Sequence, residues 1–161
     1  MWAVGANSVG PQDVVVHYNG GTWKQARSLT SGTGAFGGVV ALSRSSIWVS
    51  GTTFTGTGKP WVLHYNGKKW TRFTVPFALD LGAMAADGSG GFWITALRTS
   101  NGDWYALHRS ASGAWRRYLI TKTAQVSGLG LIPGTTSLWA AGATSGLAGA
   151  NGAVWAYRSA R

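Results

Sequence analysis

The stretch His17-Tyr18-Asn19-Gly20-Gly21-Thr22-Trp23 returns at residues 64–70 as His64-Tyr65-Asn66-Gly67-Lys68-Lys69-Trp70. The chain has only three histidines. Two of them in one seven-residue phrase mean either a pair of chemical sites or one structural unit written more than once. The surrounding sequence favours the unit. Trp2, Trp48, Trp93 and Trp139 open the phrases WAVGA, WVSGT, WITAL and WAAGA at spacings of 46, 45 and 46 residues. Trp23, Trp70 and Trp115 form a second series, spaced 47 and 45, and each follows a Gly-containing turn. Two independent markers share one period, which is the mark of a repeat architecture.

A third column runs VVVHY (14–18), WVLHY (61–65), YALHR (105–109) and VWAYR (154–158), placing His17, His64, His108 and Tyr157 at one repeat position. A residue that recurs once per unit is most simply part of the unit's packing. Its ring fills space, and its nitrogens are expected to meet a backbone group or a solvent edge.

Each unit reads as four short strands. In the best-preserved copy these are GGVVALS (37–43), SIWVSGT (46–52), PWVLHYN (60–66) and KWTRFTV (69–75), with Gly, Ser, Asn and Thr at the joints. Asn19-Gly20 and Asn66-Gly67 carry the dipeptide of a tight hairpin, and Ser112-Gly113 stands at the same joint in the third copy. Pro60 opens a strand, where its missing N–H does least harm. Apolar residues recur with period two or in short runs, and Gly interrupts every window of helical length, so no helix is predicted. Four antiparallel strands every ~45 residues is the arithmetic of a β-propeller blade, and the expected fold class is all-β. Runs such as Val14-Val15-Val16 fit inner strands covered on both faces, with Trp filling the wedge between blades.

Composition agrees with this reading. The 161 residues are 45% hydrophobic and only 11% charged, enough to bury one core, and ten Trp and 25 Gly favour pleated surfaces broken by turns. The net charge of +10 comes from a shortage of acids: there is no Glu, and the only carboxylate side chains are Asp13, Asp80, Asp87 and Asp103. That leaves little material for acid/base chemistry or a hard-metal site. With no Cys there is no disulfide or thiolate site. No apolar run reaches the ~18 residues of a membrane span, and MWAVGANSVG lacks the plan of a signal peptide.

The turn followed by Trp in NGGTW, NGKKW and SGAW resembles the Asp-box of sialidase-type propellers, and the Tyr-turn-Trp spacing (Tyr18 to Trp23, Tyr65 to Trp70) is similar to kelch repeats. The whole pattern, WAVG followed by HYNG-x-x-W, resembles the Trp-rich propeller repeats of exported bacterial proteins, and this resemblance alone implies an extracellular or cell-surface setting. The chain departs from these patterns at Asn19 and Asn66, where an Asp-box has Asp, which puts the usual side-chain hydrogen bonds in question. Kelch blades carry a Gly pair, whereas single glycines stand here at Gly5, Gly51 and Gly142, with Ala96 in the third copy.

Counting strands gives fourteen, in blades of approximately 1–30, 36–75, 81–121 and 126–161. The first blade lacks its first strand and the last lacks its fourth. The ring is therefore expected to be incomplete or completed by an oligomer. The sequence suits, in order of preference, a piece of a longer propeller, half of a homodimeric ring, or a distorted four-bladed ring, because an open arc leaves apolar faces and strand edges exposed.

These features suit binding better than catalysis. A sialidase would need a Glu that this chain lacks, no Gly-x-Ser-x-Gly elbow occurs, and GTGAFGG (32–38) is read as an interblade connection rather than a phosphate loop. No catalytic residue, cofactor or metal site is expected. The expected function is a non-catalytic scaffold binding protein or glycan, the ligand possibly anionic, with Trp61, Trp104, Tyr105 and Trp155 as candidate stacking residues. The alternative is a degenerate sialidase-like or other glycoside-acting propeller whose catalytic residues lie elsewhere. Lys24, Arg27, Lys68, Lys69, Arg72, Arg116 and Arg117 fall on or beside the outermost strands as a basic rim. Such a rim also discourages edge pairing, and its dispersal argues against a nucleic-acid groove.

Overall fold

A computed structural model of the chain describes residues 1–6, 13–28, 34–53, 60–135, 137–146 and 149–157. It falls into two units, Met1–Leu81 and Gly82–Arg161, whose boundary lies in the eighth strand. Fourteen strands and no helix occupy the described residues. The first unit holds β1 (Trp2–Ala6), β2 (Asp13–Tyr18), β3 (Trp23–Ser28), β4 (Gly34–Ser43), β5 (Ser46–Thr53), β6 (Pro60–Tyr65) and β7 (Trp70–Thr74). The remainder are β8 (Asp80–Ala86), β9 (Phe92–Arg98), β10 (Asp103–Arg109), β11 (Trp115–Thr121), β12 (Ala124–Leu131), β13 (Leu138–Gly146) and β14 (Gly149–Tyr157).

Each strand is bonded to its neighbours in chain order, giving meander sheets β1-β2-β3, β4-β5-β6-β7, β8-β9-β10-β11 and β12-β13-β14. Two complete and two partial blades are thus present, and the all-β class is as the sequence predicts. One expectation is corrected. The Gly-rich 34–38 segment is part of β4 rather than a connection, while residues 32 and 33 lie outside the described residues. Extended backbone there engages its amides in the ladder with β5 and leaves no loop to cradle a phosphate.

Burial follows position in the meander. β6 is buried at Pro60 through Leu63 and β9 at Phe92 through Ala96, so consecutive residues, and hence both faces, are covered. The outer strands β3 and β7 are almost wholly exposed. This explains why the inner strands are apolar without alternation while the outer ones carry Lys and Arg.

Within the first unit, β1 and β2 pack on β4. Val15, Val49, Trp61 and Leu63 form the core there, with Trp2, Val4, Phe36, Val39 and Trp70 against them. The Phe36 N–H donates to the Asp13 carboxylate at 2.6 Å, tying β4 to β2. Within the second unit, β12 packs on β9 and β10, and Ala85, Trp93, Ala106 and Leu138 form the core with Tyr118, Ile120, Leu129 and Tyr157 around it. Each fully buried aliphatic or aromatic side chain contributes about 1.5–3 kcal/mol.

Candidate functional site

The Trp and His columns become one device in three dimensions. Trp2 pairs across the ladder with His17, Trp48 with His64 and Trp93 with His108. Their ring centroids lie 4.4, 4.1 and 4.4 Å apart, and the latter two pairs are stacked. The indole face gives each imidazole a fixed platform, so the histidines pack as the repeat implies. Their nitrogens depart from expectation by meeting side chains: His64 Nε2 and Ser46 Oγ are 3.1 Å apart, and His108 Nε2 and Asp87 Oδ2 are 2.8 Å apart.

The fourth member of that column is corrected. Trp139 faces Ala156 across the ladder, and Tyr157 faces Leu138, as Tyr65 faces Ile47. Tyr157 therefore belongs with Tyr65, and the ladder register decides what string similarity could not. The equivalence extends between sheets. Trp2 meets Tyr65 of the next sheet at 6.0 Å, and Trp93 meets Tyr157 of the next at 5.3 Å.

The Asn turns keep the side-chain bonds that the departure from Asp put in question. Asn19 Oδ1 accepts from the Gly21 and Thr22 N–H groups, each at 3.0 Å, and Asn66 Oδ1 accepts from Lys68 and Lys69 at the same distances. An amide oxygen serves here as well as a carboxylate oxygen would. Positive φ is confined to the glycines, 106° at Gly20 and 88° at Gly67. The Asn backbone thus stays out of the left-handed region, and its side chain organises the turn. Tyr18 and Tyr65 hydroxyls donate to the Gly20 and Gly67 carbonyls at 2.9 and 2.8 Å, bracing both turns.

Two repeat-equivalent grooves result. The first, about 930 Å³, is lined by Trp2, His17, Tyr18, Arg44 and Tyr65 among others. The second, about 240 Å³, is lined by Trp93, His108, Tyr118, Tyr157, Arg116 and the Asp87–Ser89 turn. Each offers aromatic walls and one arginine. In the second, burial opposes the Asp87 charge, but hydrogen bonds with His108 and with the Ser89 and Gly91 amides outweigh it and hold the carboxyl below its ordinary value. Burial and its bond with Tyr118 push the Tyr157 hydroxyl up, against the pull of the Arg116 charge, so it stays a neutral phenol.

The candidate stacking residues separate. Trp61 is 2% exposed, in the first unit's core, with its ring against Phe36 and the Arg72 guanidinium 4.8 Å away. Tyr105 is 7% exposed, with Arg98 and Arg117 at 5.1 and 4.9 Å from its ring and its hydroxyl donating to Asp103. Neither presents an open ring face. Trp104 is half-buried beside Lys122 and Gln125, and Trp155 is half-buried beside Leu119 and Tyr157. Among the repeat-defining residues, Trp48 and Trp93 are buried, whereas Trp2, Trp70 and Trp115 are half-buried and Trp23 and Trp139 are each 49% exposed. All seven rim residues are exposed: Lys24 and Arg27 on β3, Lys68 and Lys69 in the turn before β7, Arg72 on β7, and Arg116 and Arg117 on β11. Arg72 and Arg117 also cap Trp61 and Tyr105 at equivalent places, which the sequence pattern did not reveal. Nor did it single out Arg44, Tyr118 or the Asp87–His108 pair; the one available signal for that pair was that Asp87 is one of only four carboxylates.

No known family and no curated protein matches the chain. Among solved structures, it is similar to YCF48 bound to D1 peptide, at 17% identity and a TM-score of 0.39. The match covers 96% of this chain and 62% of that one, so the chain spans less than two thirds of the protein it matches. A likeness this distant specifies neither fold nor partner. No helix among the described residues is long and apolar enough to cross a membrane.

Proposed function

We propose that this chain is a non-catalytic, propeller-type interaction module that binds protein or glycan. The supporting observation is the recurrence, in both units, of a groove walled by a Trp–His pair and a tyrosine of the next sheet, with an arginine at its margin. Indole and phenol faces suit the apolar face of a sugar or a peptide side chain, and the arginine suits a carboxylate or sulfate. The chain's net charge of +10 favours an anionic ligand at long range. The Asn-organised turns support kinship with Asp-box-type and kelch-type repeats, and that kinship carries the suggestion of an exported bacterial protein. Completion of the ring by a second copy or by further blades belongs to the same reading.

Titrating the chain with acidic oligosaccharides and acidic peptides, followed by tryptophan fluorescence and calorimetry, tests it. Saturable binding weakened about tenfold by Arg44→Ala, with the melting temperature unchanged, is expected. Turnover of a fluorogenic glycoside by the purified chain, or no binding to either class, would overturn it.

A further inference from the structure

We propose that the outer edge of β14 receives an extended strand from another polypeptide, one that opens with Trp and pairs antiparallel to β14. The inference rests on the interaction-module reading and gives the second unit its partner. In the other three sheets the place beside the third strand is taken by β3, β7 and β11, each opening with a Trp: Trp23 opposite Tyr18, Trp70 opposite Tyr65 and Trp115 opposite Arg109. In the β12–β14 sheet Tyr157 holds that position, and among the described residues no strand lies on the outer side of β14.

Three features show that this edge is shaped for an occupant. First, in the first unit Trp2 is flanked by Tyr65 at 6.0 Å and by Trp70, from the outer strand, at 6.2 Å. In the second unit Trp93 has the Tyr157 contact, and beside it lies the groove of about 240 Å³. The indole nitrogen of Trp93 is buried there with no hydrogen-bond partner among the described residues. Second, a cavity of about 170 Å³ continues along the edge, lined by Leu119, Ile120, Trp155, Ala156 and Tyr157. Leu119 is 50% and Val154 59% exposed, large apolar surface for a protein of this size. Third, β3, β7 and β11 carry Lys or Arg that discourage further pairing, whereas β14, GANGAVWAY, carries no charge across nine residues.

The occupant is therefore a strand with Trp at the residue facing Tyr157 and apolar side chains turned toward Leu119 and Trp155. Main-chain bonds supply affinity, and the indole supplies register. A second copy is a poor source, because its own Trp-led strands are already paired in its sheets.

The test titrates the full chain with a labelled peptide of residues 68–75, KKWTRFTV, the segment that fills this place in the second sheet. Saturable binding is expected, weakened about tenfold or more when the peptide's Trp70 is Ala. Val154→Lys in the chain, an exposed change that spares the core, should abolish it while leaving the melting temperature unchanged. Equal binding of the Trp and Ala peptides overturns the proposal, as does no binding. A discrete homodimer that Val154→Lys converts to monomer also overturns it, by assigning the edge to a second copy. Acidic-ligand binding that responds to Arg44→Ala, measured on the same samples, separates failure of this inference from failure of the interaction-module reading.

Discussion

Trp93 on β9 meets Tyr157 on β14 with ring centroids 5.3 Å apart, the contact that Trp2 and Tyr65 make one pair of sheets earlier at 6.0 Å. It joins two sheets of the second unit, and Tyr118 closes the cluster at 5.0 Å from Tyr157. Removing the ring should therefore loosen the sheet pair rather than one strand. Tyr157→Ala is expected to cost about 1–3 kcal/mol by urea denaturation, as a half-buried ring with two aromatic neighbours. Tyr157→Phe keeps the ring, loses the bond with Tyr118, and should cost about 1 kcal/mol. Equal losses would assign the contribution to the hydroxyl and refute the packing argument.

Gly5, Gly51 and Gly142 occupy one repeat position but have different surroundings. A Cβ at Gly142 would strike the Gln125 carbonyl of β12, and one at Gly51 would strike the Trp61 indole and the Ala35 carbonyl of β4. Nothing lies within 4 Å of a Cβ at Gly5, whose sheet has no strand before β1. Gly142→Ala and Gly51→Ala should thus destabilise by about 1–3 kcal/mol or more, and Gly5→Ala should be neutral or mildly stabilising. Thermal melts of the three variants decide it. A large loss at Gly5 would mean that another polypeptide covers β1 in solution.

The repeat was legible because each copy writes the same Trp, His and Gly at a period longer than local structure can impose. Strand order and the outer position of the basic residues followed from that. What escaped was unique to one copy or depended on register. Asp87 reaches His108 only because a hairpin turns between them, and no other copy repeats the carboxylate. Tyr157 aligned with histidines as text, yet Trp139 faces Ala156 because pairing, not similarity, sets which residues are opposite. Trp61 and Trp155 were indistinguishable in the sequence, since a strand covered on both faces hides which aromatic is enclosed.

Asp87 gives the second unit a pH dependence with a defined sign. Its carboxylate meets His108 at 2.8 Å and accepts from Ser89 and Gly91 at 2.7 and 2.8 Å, which holds it below its ordinary value despite burial. A depressed carboxylate contributes stability above the unfolded value, about 4, and loses it as pH falls through the folded value. Asp87→Asn should therefore destabilise by about 1.5–3 kcal/mol at neutral pH, with the gap narrowing below about pH 4. Calorimetric melts of both proteins across that range test it; a gap that stays constant to low pH would remove the charge from the account.

Asn66 tests whether the turn needs an amide or only an oxygen. Its Oδ1 accepts from Lys68 and Lys69, and Asn19 repeats the arrangement with Gly21 and Thr22. Asn66→Asp retains the acceptor, strengthens it with charge beside two lysines, and should leave stability unchanged or slightly raised. Asn66→Ala leaves two turn amides to water and should cost about 1 kcal/mol, a loss comparable to removing a helix N-cap. Amide exchange at Lys68 and Lys69, read by NMR, locates the effect, since protection should survive in the Asp variant and fall in the Ala variant. If both variants lose protection alike, the amide nitrogen of Asn66 holds the turn, and the likeness to an Asp-box turn is one of sequence only.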